Sequence, residues 1–166
     1  VGTGSGAIAL AIKHERPEWE ITSSDISTAA LQVAKANADR LHLDVKLVHS
    51  DLLTSVSAQP FDIIVSNPPY IAASEKDVMD ASVLAHEPQT ALFADHDGLA
   101  LYEQLATTVA DHLTSTGRLY LEFGYHQGPA LQTLFAQSMP DATVTLRQDM
   151  AGHNRMLRVA MTLTRQ

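Results

Sequence analysis

Cysteine is absent from this 166-residue chain. That excludes disulfides and thiolate metal sites and suits a reducing cytoplasm, the expected location. Long hydrophobic runs are missing too. No apolar stretch approaches the roughly 18 residues of a membrane helix, and no signal-peptide pattern occurs, so no membrane association is expected. Basic side chains are few, 11 Lys and Arg against 19 Asp and Glu, for a net charge of −8. A stand-alone nucleic-acid binder needs a basic face, so this balance favours a protein partner or a small ligand. Low-complexity tracts are lacking and 45% of residues are apolar, which fits one domain with a real core rather than disorder. The eight histidines form no H-x-x-x-H or H-E-x-x-H spacing, so no metal is expected and they read as surface or core residues. Met150, Met156 and Met161 read as core filler.

What is present is an alternation of strand-like and helix-like segments, the pattern of an α/β sheet. After "VGTGSG", residues Ala7 to His14 read as a helix and Trp19–Asp25 as a short strand. Ser27 can cap a helix whose apolar positions Leu31, Ala34, Ala38 and Leu41 recur at three and four. Val45–Asp51 and "FDIIVSN" follow as strands. Residues 71–96 are polar, with little periodicity, and too long for a plain connection, which makes them the candidate substrate loop. Leu101, Leu105, Val109 and Leu113 step at four, predicting a helix that ends near Gly117. Then come a strand over Arg118–Gly124, a helix over about 127–138, and the strands "ATVTLRQ" and "MLRVAMTLT" as an antiparallel hairpin with a loop of about seven residues. Every helix has a strand before it except the first, so a strand is expected upstream of Val1.

Gly2, Gly4 and Gly6 precede the first helix. Glycine there permits positive φ and close approach to a ligand that faces the helix N-terminus. A dinucleotide fingerprint is nominally met by Gly2, Gly4 and Ala7, while the tighter G-x-G-x-G spacing is familiar from S-adenosylmethionine-dependent methyltransferases. Asp25, at the end of the second strand, suits the ribose hydroxyls of either ligand. Asp51 ends the next strand and can accept from an adenine amino group, with Leu52 covering the ring. The glycine turn points to a nucleotide-like ligand without choosing between the two.

"VSNPPYIA" (Val65–Ala72) carries more specific chemistry. Pro68 and Pro69 remove two backbone donors and fix two φ angles, so the segment is a stiff turn at the same sheet edge as the glycine turn. A planar NH2 group is a poor nucleophile because its lone pair is delocalised. Two acceptors that hold both N–H bonds leave that lone pair aimed at an electrophilic methyl. The side-chain oxygen of Asn67 and the carbonyl of Pro68 can be those acceptors, and the Tyr70 ring can lie against a flat substrate group.

With these motifs together, the chain resembles the catalytic domain of the HemK-type protein-(glutamine-N5) methyltransferases, which modify peptide-chain release factors. "GTGSGAIALA", "SNPPYI", "HEPQTAL" (His86–Leu92), "LEFGYHQG" (Leu121–Gly128) and "DMAGHNRML" (Asp149–Leu157) match that family's blocks in order. The resemblance implies a Rossmann-like class I methyltransferase sheet, mostly parallel with a C-terminal antiparallel hairpin. It implies that residues 1–166 are one catalytic domain without its first strand or the family's helical N-terminal domain. It implies S-adenosylmethionine held by Gly2, Thr3, Gly4, Ser5, Gly6, Asp25, Ile26, Asp51, Leu52 and Asn67. Asn67, Pro68, Pro69 and Tyr70 would then hold the glutamine of a release factor's Gly-Gly-Gln tripeptide, with Asn67, Pro68 and Tyr70 catalytic. The family often has an aromatic residue where this chain has Leu52.

Other readings remain at this point. Asn-Pro-Pro-Tyr is shared with adenine-N6 DNA methyltransferases, but residues 71–96 hold Lys76 among Glu75, Asp77, Asp80, Glu87 and Asp95, a poor phosphate surface. No direct DNA binding is expected. A dinucleotide oxidoreductase leaves Asn67–Tyr70 without a task. A degenerate methyltransferase fold acting as a binding module does not explain why Asn67 and Tyr70 are both kept.

Overall fold

Helix α1 (Ala7–Glu15) starts directly after Gly6, whose φ of 84° turns the chain into it. The helix stops before Pro17, which has no N–H to continue the ladder. Lys13 ties off the end by donating from Nζ to the carbonyls of Pro17 and Trp19 at 2.8 and 2.7 Å. The computed structural model describes residues 1–57, 59–72 and 93–162. These fall into two compact units, Val1–Ala58 and Gln59–Gln166.

In the first unit, strand β1 (Thr22–Asp25) leads to α2 (Thr28–Leu41) and then to β2 (Lys46–His49). The expected cap is present: the Ser27 hydroxyl accepts from the Ala30 N–H at 3.2 Å. β1 and β2 pair in parallel, with Asp25 opposite His49, so Asp25 and Asp51 both lie at the C-terminal end of this ladder. α2 buries only Ala34 and Ala38, and the small side chain of Ala34 lets Gly6 approach closely. A methyl group on Gly6 would stand 3.2 Å from both Ala34 Cβ and Leu10 Cδ1.

The second unit is built on a four-stranded sheet ordered β3–β6–β8–β7. Strand β3 (Phe61–Ser66) runs parallel to β6 (Leu113–Glu122). β8 (Asn154–Met161) is antiparallel to both β6 and β7 (Ala142–Gln148). Short strands β4 (Ile71–Ala72) and β5 (Phe93–Ala94) pair in parallel and lead into α3 (Asp95–Gly98) and α4 (Ala100–Thr108). Helix α5 (Gly128–Ser138) packs on β7, β8 and α4. Leu119, Leu121, Phe123, Leu131, Phe135, Leu157 and Val159 are fully buried between these layers, with Tyr102, Leu105 and Val109 from the α4 side. The α/β class, the parallel ladders and the C-terminal hairpin agree with expectation.

Several boundaries differ. The helix expected to reach Gly117 ends as a single 3-10 turn, Val109–His112, and Leu113 is already extended at φ −105°, ψ 142°. Leu113 keeps the four-residue period only by coincidence, since it is buried as the first residue of β6. Gly117 is a strand residue beside a register shift: a side chain there would come within 3.0 Å of Leu113 and of the Phe61 carbonyl. The hairpin loop is shorter than expected because β8 begins at Asn154 rather than Met156. Met150 is fully exposed in that loop and Met156 is 40% exposed, so neither fills the core. Of the expected loop 71–96, the ends form β4, β5 and the start of α3, while residues 73–92, including "HEPQTAL" and Lys76, lie outside the described residues.

Candidate functional site

The glycine turn is tied to the strand beside it. Gly2, Gly4 and Gly6 have φ of 65°, 54° and 84°, the left-handed region that other residues rarely adopt. The Thr3 N–H donates to the Ser24 carbonyl at 3.0 Å, and the Gly6 N–H donates to the Thr3 carbonyl at 2.9 Å. The Ser5 carbonyl accepts from the Asn37 side chain at 2.9 Å. A methyl group on Gly2 or Gly4 would meet nothing within 4 Å. These two glycines therefore serve the turn's conformation and border open space, whereas Gly6 serves packing.

Asp25 completes the turn. Its Oδ2 accepts from the Gly4 N–H at 2.8 Å and its Oδ1 from the Ser27 N–H at 2.9 Å. A carboxylate offers about four acceptor positions, so capacity for ligand hydroxyls remains. Ile26, next in the chain, is 63% exposed, and its carbonyl bonds His49 Nε2 at 2.8 Å. Asp51 is exposed, and its carboxylate accepts no hydrogen bond among the described residues. Leu52 stands at φ 47°, an uncommon conformation for a branched side chain, and is held there by the Ser24 hydroxyl donating to its carbonyl at 3.1 Å. Two carboxylates and two apolar side chains thus gather at one ladder end, a set able to accept from hydroxyls and an amino group and to cover a flat ring.

The Asn-Pro-Pro-Tyr turn leaves the C-terminal end of β3 in the second unit. Ser66 and Pro68 are buried, Pro69 and Tyr70 half-buried, and Asn67 exposed. The Asn67 amide makes no hydrogen bond among the described residues, so its oxygen is open to a ligand. The expected site residues fall into two groups: those from Gly2 to Leu52 in the first unit and those from Asn67 to Tyr70 in the second.

Residues that sequence reasoning left without a role support the turn. Gln127 Nε2 donates to the Tyr70 carbonyl at 2.9 Å, and Gln127 Oε1 accepts from the Gly124 N–H at 3.0 Å. The Tyr70 ring packs over Gly124, where a methyl group would come within 3.1 Å of Cδ2. Beneath them Tyr102 is fully buried and donates its hydroxyl to the Glu122 carbonyl at 2.7 Å. Burial, followed by the neighbouring Tyr70 and Glu122, pushes the Tyr102 phenol far above its ordinary range, so it stays protonated. The only advance signal was that Gly124 and Gln127 share the "LEFGYHQG" block.

Residues 1–95 match the methyltransferase small domain model. The chain belongs to that family. It is 45% identical over 159 residues to the release factor glutamine methyltransferase of Lactococcus lactis subsp. lactis (strain IL1403), covering 96% of this chain and 58% of the relative. It is 46% identical over 157 residues to the same-named protein of Streptococcus pneumoniae (strain ATCC BAA-255 / R6), covering 95% and 56%. This methyltransferase-family chain thus spans little more than half the length of those curated relatives. A methyltransferase from Pyrococcus furiosus superposes with a TM-score of 0.70 at 16% identity, over 96% of this chain and 72% of that one, which shows the shared fold. The resemblance read from the motif blocks is therefore borne out. Among the described residues no helix is long and apolar enough to cross a membrane, and no group of three or more His, Cys, Asp or Glu gathers as metal ligands.

Proposed function

We propose that this chain is the catalytic domain of an enzyme that methylates the side-chain amide N5 of the glutamine in a release factor's Gly-Gly-Gln tripeptide. The observation that carries this reading is the Asn67–Tyr70 turn: an exposed amide free of hydrogen bonds among the described residues, beside two prolines and an aromatic residue whose carbonyl is held by Gln127. The curated relatives of that name support the choice of substrate. S-adenosylmethionine suits the first unit chemically. Gly2 and Gly4 border open space, Asp25 keeps acceptor capacity for ribose hydroxyls, and Asp51 can accept from the adenine amino group between Ile26 and Leu52. Thr3, Ser5, Gly6 and Asn67 complete the proposed contacts.

When bound, S-adenosylmethionine supplies an electrophilic methyl whose C–S bond breaks as the N–C bond forms. The chain's own residues prepare the nitrogen. Asn67 Oδ1 and the Pro68 carbonyl accept the two amide N–H bonds, twisting the lone pair out of conjugation. Tyr70 covers one face of the amide, and Pro69 stiffens the turn so that little ordering remains to be done on binding. The surplus proton on the methylated nitrogen is strongly acidic and passes to solvent, so no dedicated base is needed. We place the reaction in the cytoplasm with no direct DNA contact.

The test uses the full-length protein, radiolabelled S-adenosylmethionine and a release factor carrying Gly-Gly-Gln. Label should enter the release factor and disappear when that glutamine becomes alanine. Label that persists after that change, or that enters DNA instead, would overturn the assignment.

A further inference from the structure

We propose that Gln127 is a positioning residue that sets the geometry of the Asn67–Tyr70 clamp, an inference that rests on the amide-methylating reading above. The two prolines fix φ at positions 68 and 69, so the turn's remaining freedom lies in the ψ angles and at its exit, Tyr70. Gln127 acts at that exit. Its amide lies between two backbone groups of opposite polarity, donating to the Tyr70 carbonyl at 2.9 Å and accepting from the Gly124 N–H at 3.0 Å. The base of the side chain is itself held, because the Gln127 N–H donates to the Gly124 carbonyl at 2.8 Å.

A carboxamide suits this position because it carries a donor and an acceptor side by side, whereas an ionised carboxylate offers acceptors only. The surroundings leave no slack. A methyl group on Gly98 would stand 2.1 Å from the Tyr70 carbonyl oxygen and 2.5 Å from Gln127 Nε2. One on Gly124 would stand 3.1 Å from the Tyr70 ring and 3.3 Å from Gln127 Oε1. Two glycines thus make room for one amide, and that amide fixes both the peptide after Tyr70 and the ring that would cover the substrate. Displacing a reacting group by about 1 Å can cost 100-fold in rate, so a tie one residue beyond the clamp has leverage.

The test compares Gln127→Ala and Gln127→Glu with the wild type in the full-length protein. Gln127→Ala should lower kcat about 10- to 100-fold with little change in the dissociation constant for S-adenosylhomocysteine. Gln127→Glu separates positioning from mere folding. Ionised, its carboxylate faces the Tyr70 carbonyl with no donor, which also raises its pKa; protonated, it restores both hydrogen bonds. Its kcat relative to wild type should therefore rise as pH falls from 8 to 5.5, while KM for the protein substrate and thermal stability change far less. The Tyr70 ring resonance, assigned with Tyr70→Phe, should titrate in parallel in Gln127→Glu and not in the wild type. A wild-type kcat for Gln127→Ala, or a flat pH ratio with an untitrating Tyr70 ring, would overturn the proposal. The identity of the labelled wild-type substrate is read separately, so a wrong substrate would fail the amide reading while the ring titration still judged Gln127.

Discussion

Gly4 and Asp25 are joined across the turn: the Gly4 N–H donates to Asp25 Oδ2 at 2.8 Å, 21 residues along the chain. The same carboxylate accepts from Ser27 at the start of α2, so one side chain links the glycine turn to the next helix. Asp25→Asn places an NH2 group against one of these two backbone donors. We expect at least about a tenfold loss of affinity for S-adenosylhomocysteine, because the lost bonds are charge-assisted and one N–H is left facing a donor. Isothermal titration calorimetry checks this, and unchanged affinity would remove Asp25 from the binding site.

Asn67 is exposed and free of internal hydrogen bonds among the described residues, so its removal should scarcely affect folding. Asn67→Ala is expected to change stability by less than about 0.5 kcal/mol. It should reduce methyl transfer about 100-fold or more while the cofactor product still binds. Wild-type turnover by this variant would end the role given to Asn67.

Gly98 has φ of 81° and lies against the Tyr70 carbonyl. Gly98→Ala should destabilise by about 3 kcal/mol, combining left-handed strain with overpacking. It should also lower kcat, because either Tyr70 or Gln127 must move. By contrast, Gly2→Ala meets no atom within 4 Å and should cost only the backbone strain, about 1–2 kcal/mol. Chemical denaturation of both variants tests the ordering.

Leu52 stands at φ 47° in the turn that follows β2. Glycine normally destabilises relative to alanine, but here that order should reverse, with Leu52→Gly more stable than Leu52→Ala by about 1 kcal/mol. Both should weaken nucleoside binding by removing apolar cover. Equal stabilities would show that the turn relaxes out of the left-handed region.

Much of this architecture was legible because its signals are local. Ser27 lies one residue before α2 and caps it, and the apolar Ala142, Val144 and Leu146 alternate with polar residues in the first part of β7. The Asn67–Tyr70 turn was legible because adjacent prolines permit so few conformations. The failures were non-local. Leu113 continues a helical period, but pairing with Phe61 in a distant strand makes it extended. Gln127 serves a carbonyl 57 residues away, and a partner of that kind has no spacing to reveal it. Met150 sits where apolar character suggested core, yet the hairpin turn carries it into solvent.

Asp149 organises that hairpin turn. Its Oδ1 accepts from the N–H groups of Ala151 and His153 at 2.9 and 3.0 Å, and Oδ2 lies 3.5 Å from Arg155 Nε. The His153 backbone bond, helped by that of Ala151 and by the His153 and Arg155 charges, holds the carboxyl below the usual aspartate range despite some desolvation. A depressed folded-state pKa means that the stabilisation is fully present above the unfolded value near 3.9 and is lost as pH falls through the lower folded value. The Ala151 and His153 amides should therefore stay ordered into moderate acid and loosen only below the range where an ordinary aspartate protonates. Both turn amides bond Oδ1 alone, so Asp149→Ala, which removes that acceptor, should free the turn at neutral pH, whereas Asp149→Asn keeps an oxygen for them and should not. Amide temperature coefficients of Ala151 and His153, followed by NMR from pH 7 to 2, measure the transition. A midpoint at or above 3.9 would contradict the depressed pKa.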